Sequence, residues 1–118
     1  MIVGTGVDIT EVNRLRRAVE RWGGDFLNRI FSKEELDNAK TRGSLYQHLA
    51  GRFAAKEAIF KALNIKSLSW KEIQIFNNAD GRPIASVSNK QAKGLDIQIS
   101  ISHVKSYAVA SAIVTPKT

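Results

Sequence analysis

The chain has no cysteine, which removes disulfides, thiolate metal sites and cysteine nucleophiles together. It has no apolar run approaching the ~20 residues that cross a membrane. Its first residues, MIVGTGVDIT, lack a basic region and a cleavage site and read as a strand, so the cytoplasm is the expected compartment. There is no G-x-x-x-x-G-K-[ST] loop, no G-x-G-x-x-G and no G-x-S-x-G, so the common nucleotide loops and the serine elbow are missing. Paired zinc ligands, an RNA-recognition aromatic motif and a clear helix-turn-helix are absent as well. No internal repeat or low-complexity segment appears.

Acids are also in short supply. Eleven Asp and Glu face 18 Lys and Arg, a net charge of +7. Such an excess calls for an acidic partner: nucleic acid, an anionic membrane, a phosphate-rich ligand or an acidic protein. The basic residues have no aromatic platforms between them, which counts against single-stranded nucleic acid. With 118 residues, 43% hydrophobic and 25% charged, the composition is that of one globular domain spanning residues 1–118.

Residues 2–10 read as a strand whose Gly4 and Gly6 permit close backbone approach. Residues 11–22 read as an amphipathic helix with Val12, Leu15, Val19 and Trp22 on one stripe, stopped by Gly23 and Gly24. A second helical stretch covers 25–42, where Ser32 and Glu35 form a capping box. Residues 43–48 are a connection that includes His48, and a central helix runs from about 49 to 63. Strands follow at 71–76 and 84–88 around an Asp80-Gly81 turn, with a short polar turn over 89–95. A final hairpin joins 96–104 to 107–114. Helices gather in the first half and strands in the second. The expected fold is α+β, a mostly antiparallel sheet packed on a long central helix.

The stretch GRFAAKEAIFKAL at 51–63 is helical on propensity and almost wholly apolar. On a wheel, Phe53 and Phe60 fall together, Ala54, Ala55, Ala58 and Ala62 fill the next arc, and no clean polar face remains. Glu57 lies between the Phe pair and the alanines, with Lys61 one turn on. They are either an ordinary i, i+4 pair or groups with work to do, because a carboxylate in a buried helix needs a partner, a metal or a shifted pKa. Asp8, between Val7 and Ile9, is either a solvated strand-end acid or a second carboxylate converging on Glu57. Two such hard oxygen donors suit Mg²⁺. Arg14, Arg17 and Arg21 share a narrow arc opposite the apolar stripe, either a solvated face or a surface for carboxylate or phosphate. His103, Arg82 and Pro83 sit at strand ends.

Taken in order, GTGVDITEVNR at 4–14, RIFSKEEL at 29–36, LAGRFAAKEAIFKAL at 49–63, DGRP at 80–83 and SISH at 100–103 resemble the holo-acyl-carrier-protein synthases. These are the small bacterial-type 4′-phosphopantetheinyl transferases, and the resemblance covers nearly the whole chain. It implies a phosphopantetheinyl transferase-like fold and a Mg²⁺-dependent transfer of the phosphopantetheine arm of coenzyme A to a serine of an acyl carrier protein. Adenosine 3′,5′-bisphosphate leaves, and the active sites of a homotrimer lie between subunits. By resemblance, Asp8 and Glu57 look like the metal ligands and Lys61 like the lysine on the pyrophosphate. Arg52, Arg82, Pro83 and His103 look like the coenzyme A nucleotide site. Arg14, Arg17, Arg21 and Arg29, with Phe26 and Phe53, look like the carrier-protein surface. Glu57 and a metal-bound water both remain candidates for the base that takes the serine proton. One departure stands out. The resembled family follows K-A-L with a Gly-rich loop, whereas this chain has Asn64, which tolerates a left-handed backbone better than most residues.

Overall fold

A computed structural model describes residues 1–118. Strand β1 (Gly4–Glu11) leads into α1 (Val12–Ile30), α2 (Lys33–Lys40) and the central helix α3 (Leu45–Leu63). Then come β2 (Ile73–Asn77), β3 (Pro83–Val87), β4 (Leu95–His103) and β5 (Tyr107–Pro116). Every strand pair is antiparallel. The expected sheet is divided in two: β1-β5-β4 forms a three-stranded sheet and β2-β3 a separate hairpin. In the larger sheet Asp8 lies opposite Ala110 and Ile101 opposite that same Ala110 from the other side.

Helix α3 packs directly on β1, and the contact explains both early glycines. A Cβ on Gly6 would stand 2.0 Å from the Ala58 carbonyl oxygen, and one on Gly4 2.0 Å from that of Ala62. Small residues on both elements let main chain meet main chain. Ala54, Ala55, Ala58 and Ala62 form the buried arc, closed by Ile59, Ile73, Ile75, Ala110, Ala112 and Val114. A second cluster holds Val12, Leu15, Ile30, Phe31 and Leu49 between α1, α2 and the first turns of α3.

Local signals set most boundaries. The Ser32 hydroxyl accepts from the Glu35 N–H at 3.1 Å, while Glu35 accepts from the Ser32 N–H at 2.8 Å, completing the capping box. Asn64 ends α3 with φ 52° and ψ 41°, so the left-handed turn survives without glycine. Gly23 breaks α1 with φ 62° and ψ −141°, as expected, and the helical stretch expected over 25–42 is divided between the end of α1 at Ile30 and α2 from Lys33.

Two further expectations are corrected, and one buried charge went unread. Trp22, placed on the apolar stripe, lies at this break and is 58% exposed, with the Arg21 guanidinium 4.9 Å from its ring centre. Helix α3 starts at Leu45, four residues early, and draws His48 out of the supposed connection into its first turn. Lys56, which no apolar pattern marks, is completely buried. Its ammonium donates to the Ile30 carbonyl at 2.7 Å, to Glu35 at 2.8 Å and to the Trp70 carbonyl at 3.3 Å. Glu35 accepts in turn from the Ile75 N–H at 2.7 Å. The capping acid of α2 is thus the hub that ties α1, α2, α3 and β2.

Candidate functional site

Asp8 follows Gly4 and Gly6 on the same face of β1, because side chains alternate along a strand. The strand–helix contact runs from Ala62 back to Ala58 and therefore delivers its carboxylate beside the Glu57–Lys61 stretch of α3. There the Lys61 ammonium donates to the Val7 carbonyl at 2.9 Å and to Asp8 Oδ1 at 3.4 Å. The Thr10 hydroxyl donates to Asp8 Oδ2 at 3.1 Å. Glu57 lies one turn before Lys61. Asp8 and Glu57 line one cavity of about 510 Å³, together with Arg14, Phe26, Phe53 and Tyr107. Three carboxylates line the cavity, Asp8, Glu57 and the Arg17-paired Glu11, along with the aromatic rings of Phe26, Phe53 and Tyr107.

Electrostatics mark Glu57. Burial pushes its carboxyl above the usual range, the Asp8 charge pushes it further, and Lys61 offsets part of the rise. A carboxyl raised by a second acid beside it offers a seat for a cation. The donor set, two hard carboxylates open to a cavity, fits Mg²⁺, which commonly takes one or two carboxylates plus phosphates and water.

A different face of α3 carries the residues associated with a nucleotide. Arg52, Pro83 and His103 line a second cavity of about 230 Å³ with Arg42, His48 and Asn77. Arg52 is buried and donates to the Asn77 side-chain carbonyl. His48 is held neutral: burial, then the charges of Arg52, Arg42 and His103, lower its pKa to about 4. Arg82 stands apart from this group and lines the neighbouring groove between β3 and β4. Five residues separate Arg52 from Glu57, about 140° around a helix, and the two cavities share no lining residue.

The arginine arc is only partly a unit. Arg14 reaches the first cavity, beside Phe26 and Phe53. Arg17 is engaged by Glu11, 3.4 Å away, so the arc is not free of acid. Both partners are well exposed, and the pair is weak. Arg21 covers Trp22, and Arg29 is exposed in the last turn of α1. The aromatic wall has a backing that sequence reasoning missed: Trp70 stacks on Phe53 at 5.1 Å and meets Phe60 edge-on at 4.8 Å. His48, Arg42 and Tyr107 were missed too, since only the fold brings them to the cavities. Lys56 had a signal, because a wheel without a polar face leaves its charge as unexplained as that of Glu57.

The sequence model of the 4′-phosphopantetheinyl transferase superfamily matches residues 4–112. The chain belongs to this family. A holo-[acyl-carrier-protein] synthase of Thermodesulfovibrio yellowstonii is 43% identical across 98% of the chain and 100% of its own length. The holo-(acyl-carrier-protein) synthase of Bacillus anthracis, solved in complex with CoA (3′,5′-ADP), superposes with a TM-score of 0.85. It is 36% identical, covering 100% of this chain and 99% of that one. The Helicobacter pylori holo-[acyl-carrier-protein] synthase in complex with coenzyme A gives a TM-score of 0.85 at 31% identity, covering 94% and 99%. The chain is accordingly an enzyme, a phosphopantetheinyl transferase of the holo-acyl-carrier-protein synthase kind.

Proposed function

We propose that the chain, acting as one catalytic domain, moves the 4′-phosphopantetheine arm of coenzyme A onto a serine of an acidic apo acyl carrier protein. Adenosine 3′,5′-bisphosphate is released, and Mg²⁺ is required. The observation that carries the proposal is the meeting of Asp8 and Glu57 at one cavity, with the Lys61 ammonium hydrogen-bonded to Asp8 beside it.

In this reaction the serine oxygen forms a bond to the β-phosphorus of coenzyme A, and the bond from that phosphorus to the bridging oxygen breaks. Asp8 and Glu57 would hold the Mg²⁺. When bound, the ion supplies neutralising charge for the diphosphate. Lys61, anchored to Asp8 and the Val7 carbonyl, presents its ammonium to the same diphosphate and favours the leaving nucleotide. Glu57, held above the usual carboxylate range, is suited to receive the proton of the serine hydroxyl. Arg14, Arg17, Arg21 and Arg29 present positive charge on α1, which speeds and orients an acidic partner, while Phe26 and Phe53 form the apolar lip.

Arg52, Arg82, Pro83 and His103 take the nucleotide on this reading, and they do so for a neighbouring copy. The separation of the two cavities supports a homotrimer with shared sites. So does the outer face of the three-stranded sheet, where Val7, Ile9, Val109 and Ile113 are exposed. Ile9 pairs with Val109 across the strands, so the patch is continuous. No helix is long and apolar enough to cross a membrane, and the proposed compartment is the cytoplasm.

The test is a mass measurement. An apo carrier protein incubated with coenzyme A and Mg²⁺ should gain the mass of one phosphopantetheine arm. The gain should vanish with chelator. A carrier protein that stays unmodified under all conditions would overturn the proposal.

A further inference from the structure

The smaller cavity collects four basic side chains and no acid. Arg42 comes from the α2–α3 connection, His48 and Arg52 from α3, and His103 from the end of β4. The β2–β3 hairpin contributes Asn77, Gly81 and Pro83, none of them charged. Arg52 bonds to an amide, which leaves its charge unneutralised. The acid that acts on it, Glu35, is already committed to Lys56. Ring nitrogen Nε2 of His48 is buried and has no hydrogen-bond partner within the protein. Buried polar atoms without partners are rare and ask for an explanation.

The chemistry of coenzyme A offers one. Its diphosphate belongs beside Lys61, Asp8 and Glu57 on the reading above. The remaining phosphate is the 3′-monoester, the one phosphate on the molecule that becomes a dianion near neutral pH. A dianion opposes the Arg52, Arg42 and His103 charges that add to burial in keeping His48 neutral. A charged imidazolium is a donor at both nitrogens, whereas the neutral ring donates at one.

We propose that His48 is a specificity residue for the 3′-phosphate of coenzyme A, taking up a proton as the dianion enters the cavity it shares with Arg42, Arg52 and His103. The inference rests on the transfer reading for its donor, and it adds a consequence: discrimination between coenzyme A and its 3′-dephospho form is coupled to pH through one side chain. The low pKa of the free protein supports the direction, since a group near 4 has room to rise when an anion arrives.

Binding of coenzyme A and of 3′-dephospho-coenzyme A is measured by calorimetry at pH 6 and pH 8, for the wild type and for His48→Gln. The preference for coenzyme A should be about 10-fold larger in the wild type than in the variant at pH 6, and should differ by about 2-fold or less at pH 8. His48→Phe, which fills the space without a donor, should lose the same increment. Circular dichroism checks that both variants fold. The His48 imidazole, followed by NMR, should titrate well above 4 with coenzyme A and stay low with the dephospho form. His103→Gln separates the second imidazole, and should leave the His48 titration responsive. If coenzyme A binds and is transferred but the pH-dependent preference is the same in wild type and His48→Gln, this inference fails alone. If coenzyme A does not bind the wild type, the transfer reading fails with it.

Discussion

The Lys61 ammonium lies 3.4 Å from Asp8 Oδ1, reaching from the central helix back across to the first strand. Glu57, one helical turn earlier, faces the same cavity. The three charges form a unit whose members come from elements 50 residues apart in sequence but in direct main-chain contact. Asp8→Asn or Glu57→Gln should each lower carrier-protein labelling about 10²–10³-fold at saturating Mg²⁺, the range typical of lost electrostatic stabilisation. Lys61→Met should act mainly on the rate and less on the KM for the carrier protein. Unchanged labelling in both acid variants would remove the metal site from Asp8 and Glu57.

Glu57 is predicted to trade stability for activity. Burial first, and the Asp8 charge second, raise its pKa in the folded chain. The native state therefore holds this proton more tightly than the unfolded chain does. That contribution is fully present below the ordinary value of 4.5 and is lost as pH rises through the raised native value. At pH 7.5, Glu57→Gln should raise Tm by about 1–3 °C, while transfer falls. Thermal denaturation without metal reads the effect, and a lower Tm for the variant would contradict it. Added Mg²⁺ should stabilise the wild type more than the variant.

Lys56 and Glu35 form the buried pair, 2.8 Å apart with both side chains out of solvent. Lys56→Met leaves the Glu35 carboxylate without its cation and strips donors from the Ile30 and Trp70 carbonyls. The expected cost is about 3–5 kcal/mol. Glu35→Gln should be costly too, because the Ser32 and Ile75 N–H groups depend on the carboxylate. The double variant should lose less than the sum of the two, by about 1–3 kcal/mol. Urea denaturation of the four proteins measures the cycle, and strict additivity would argue against coupling.

If the site is shared between copies, inactive variants should rescue each other. Glu57→Gln spoils the metal face, and Arg52→Gln spoils the nucleotide face while keeping a partner for Asn77. Mixed after denaturation and refolded together at equal amounts, they should regain about a quarter of wild-type activity, since about one interface in four then has both faces intact. Activity no higher than that of the separate variants would place the whole site within one copy.

What was legible in the sequence was local. Ser32 and Glu35 bond over three residues, Asn64 adopts its turn alone, and the pairing of Gly4 and Gly6 announces a close contact at short range. Glu57 stands out because a carboxylate in an apolar helix is conspicuous, and Asp8 reads as an acid that could converge on it; the fold places both at one cavity. Lys56 was not read, because its partners Ile30, Glu35 and Trp70 lie 14–26 positions away. His48 reads in sequence as part of a connection, and only its place in α3 and the packing around it bring it beside Arg52, Arg42 and His103. Trp22 was misplaced for the opposite reason: its spacing fits the stripe, but Gly23 turns the chain beside it.

The glycines on β1 make a stability prediction as well. Gly6→Ala would place a methyl carbon 2.0 Å from the Ala58 carbonyl, so α3 must lift from the strand. The variant should unfold at markedly lower urea and, where folded, should bind Mg²⁺ weakly, because Asp8 and Glu57 move apart. A Tm within 2 °C of wild type would contradict the packing, an allowance of roughly 0.5 kcal/mol.

A floor made of backbone has no side chain left to trim. Anyone remodelling this enzyme to accept a bulkier carrier-protein segment would find the strand–helix seam incompressible and closed to gradual redesign. Adjustable volume lies at the opposite wall, where Phe26 and Phe53 can be shortened in steps. Variation in carrier-protein fit among such enzymes should therefore be written in the aromatic lip, with the seam held constant.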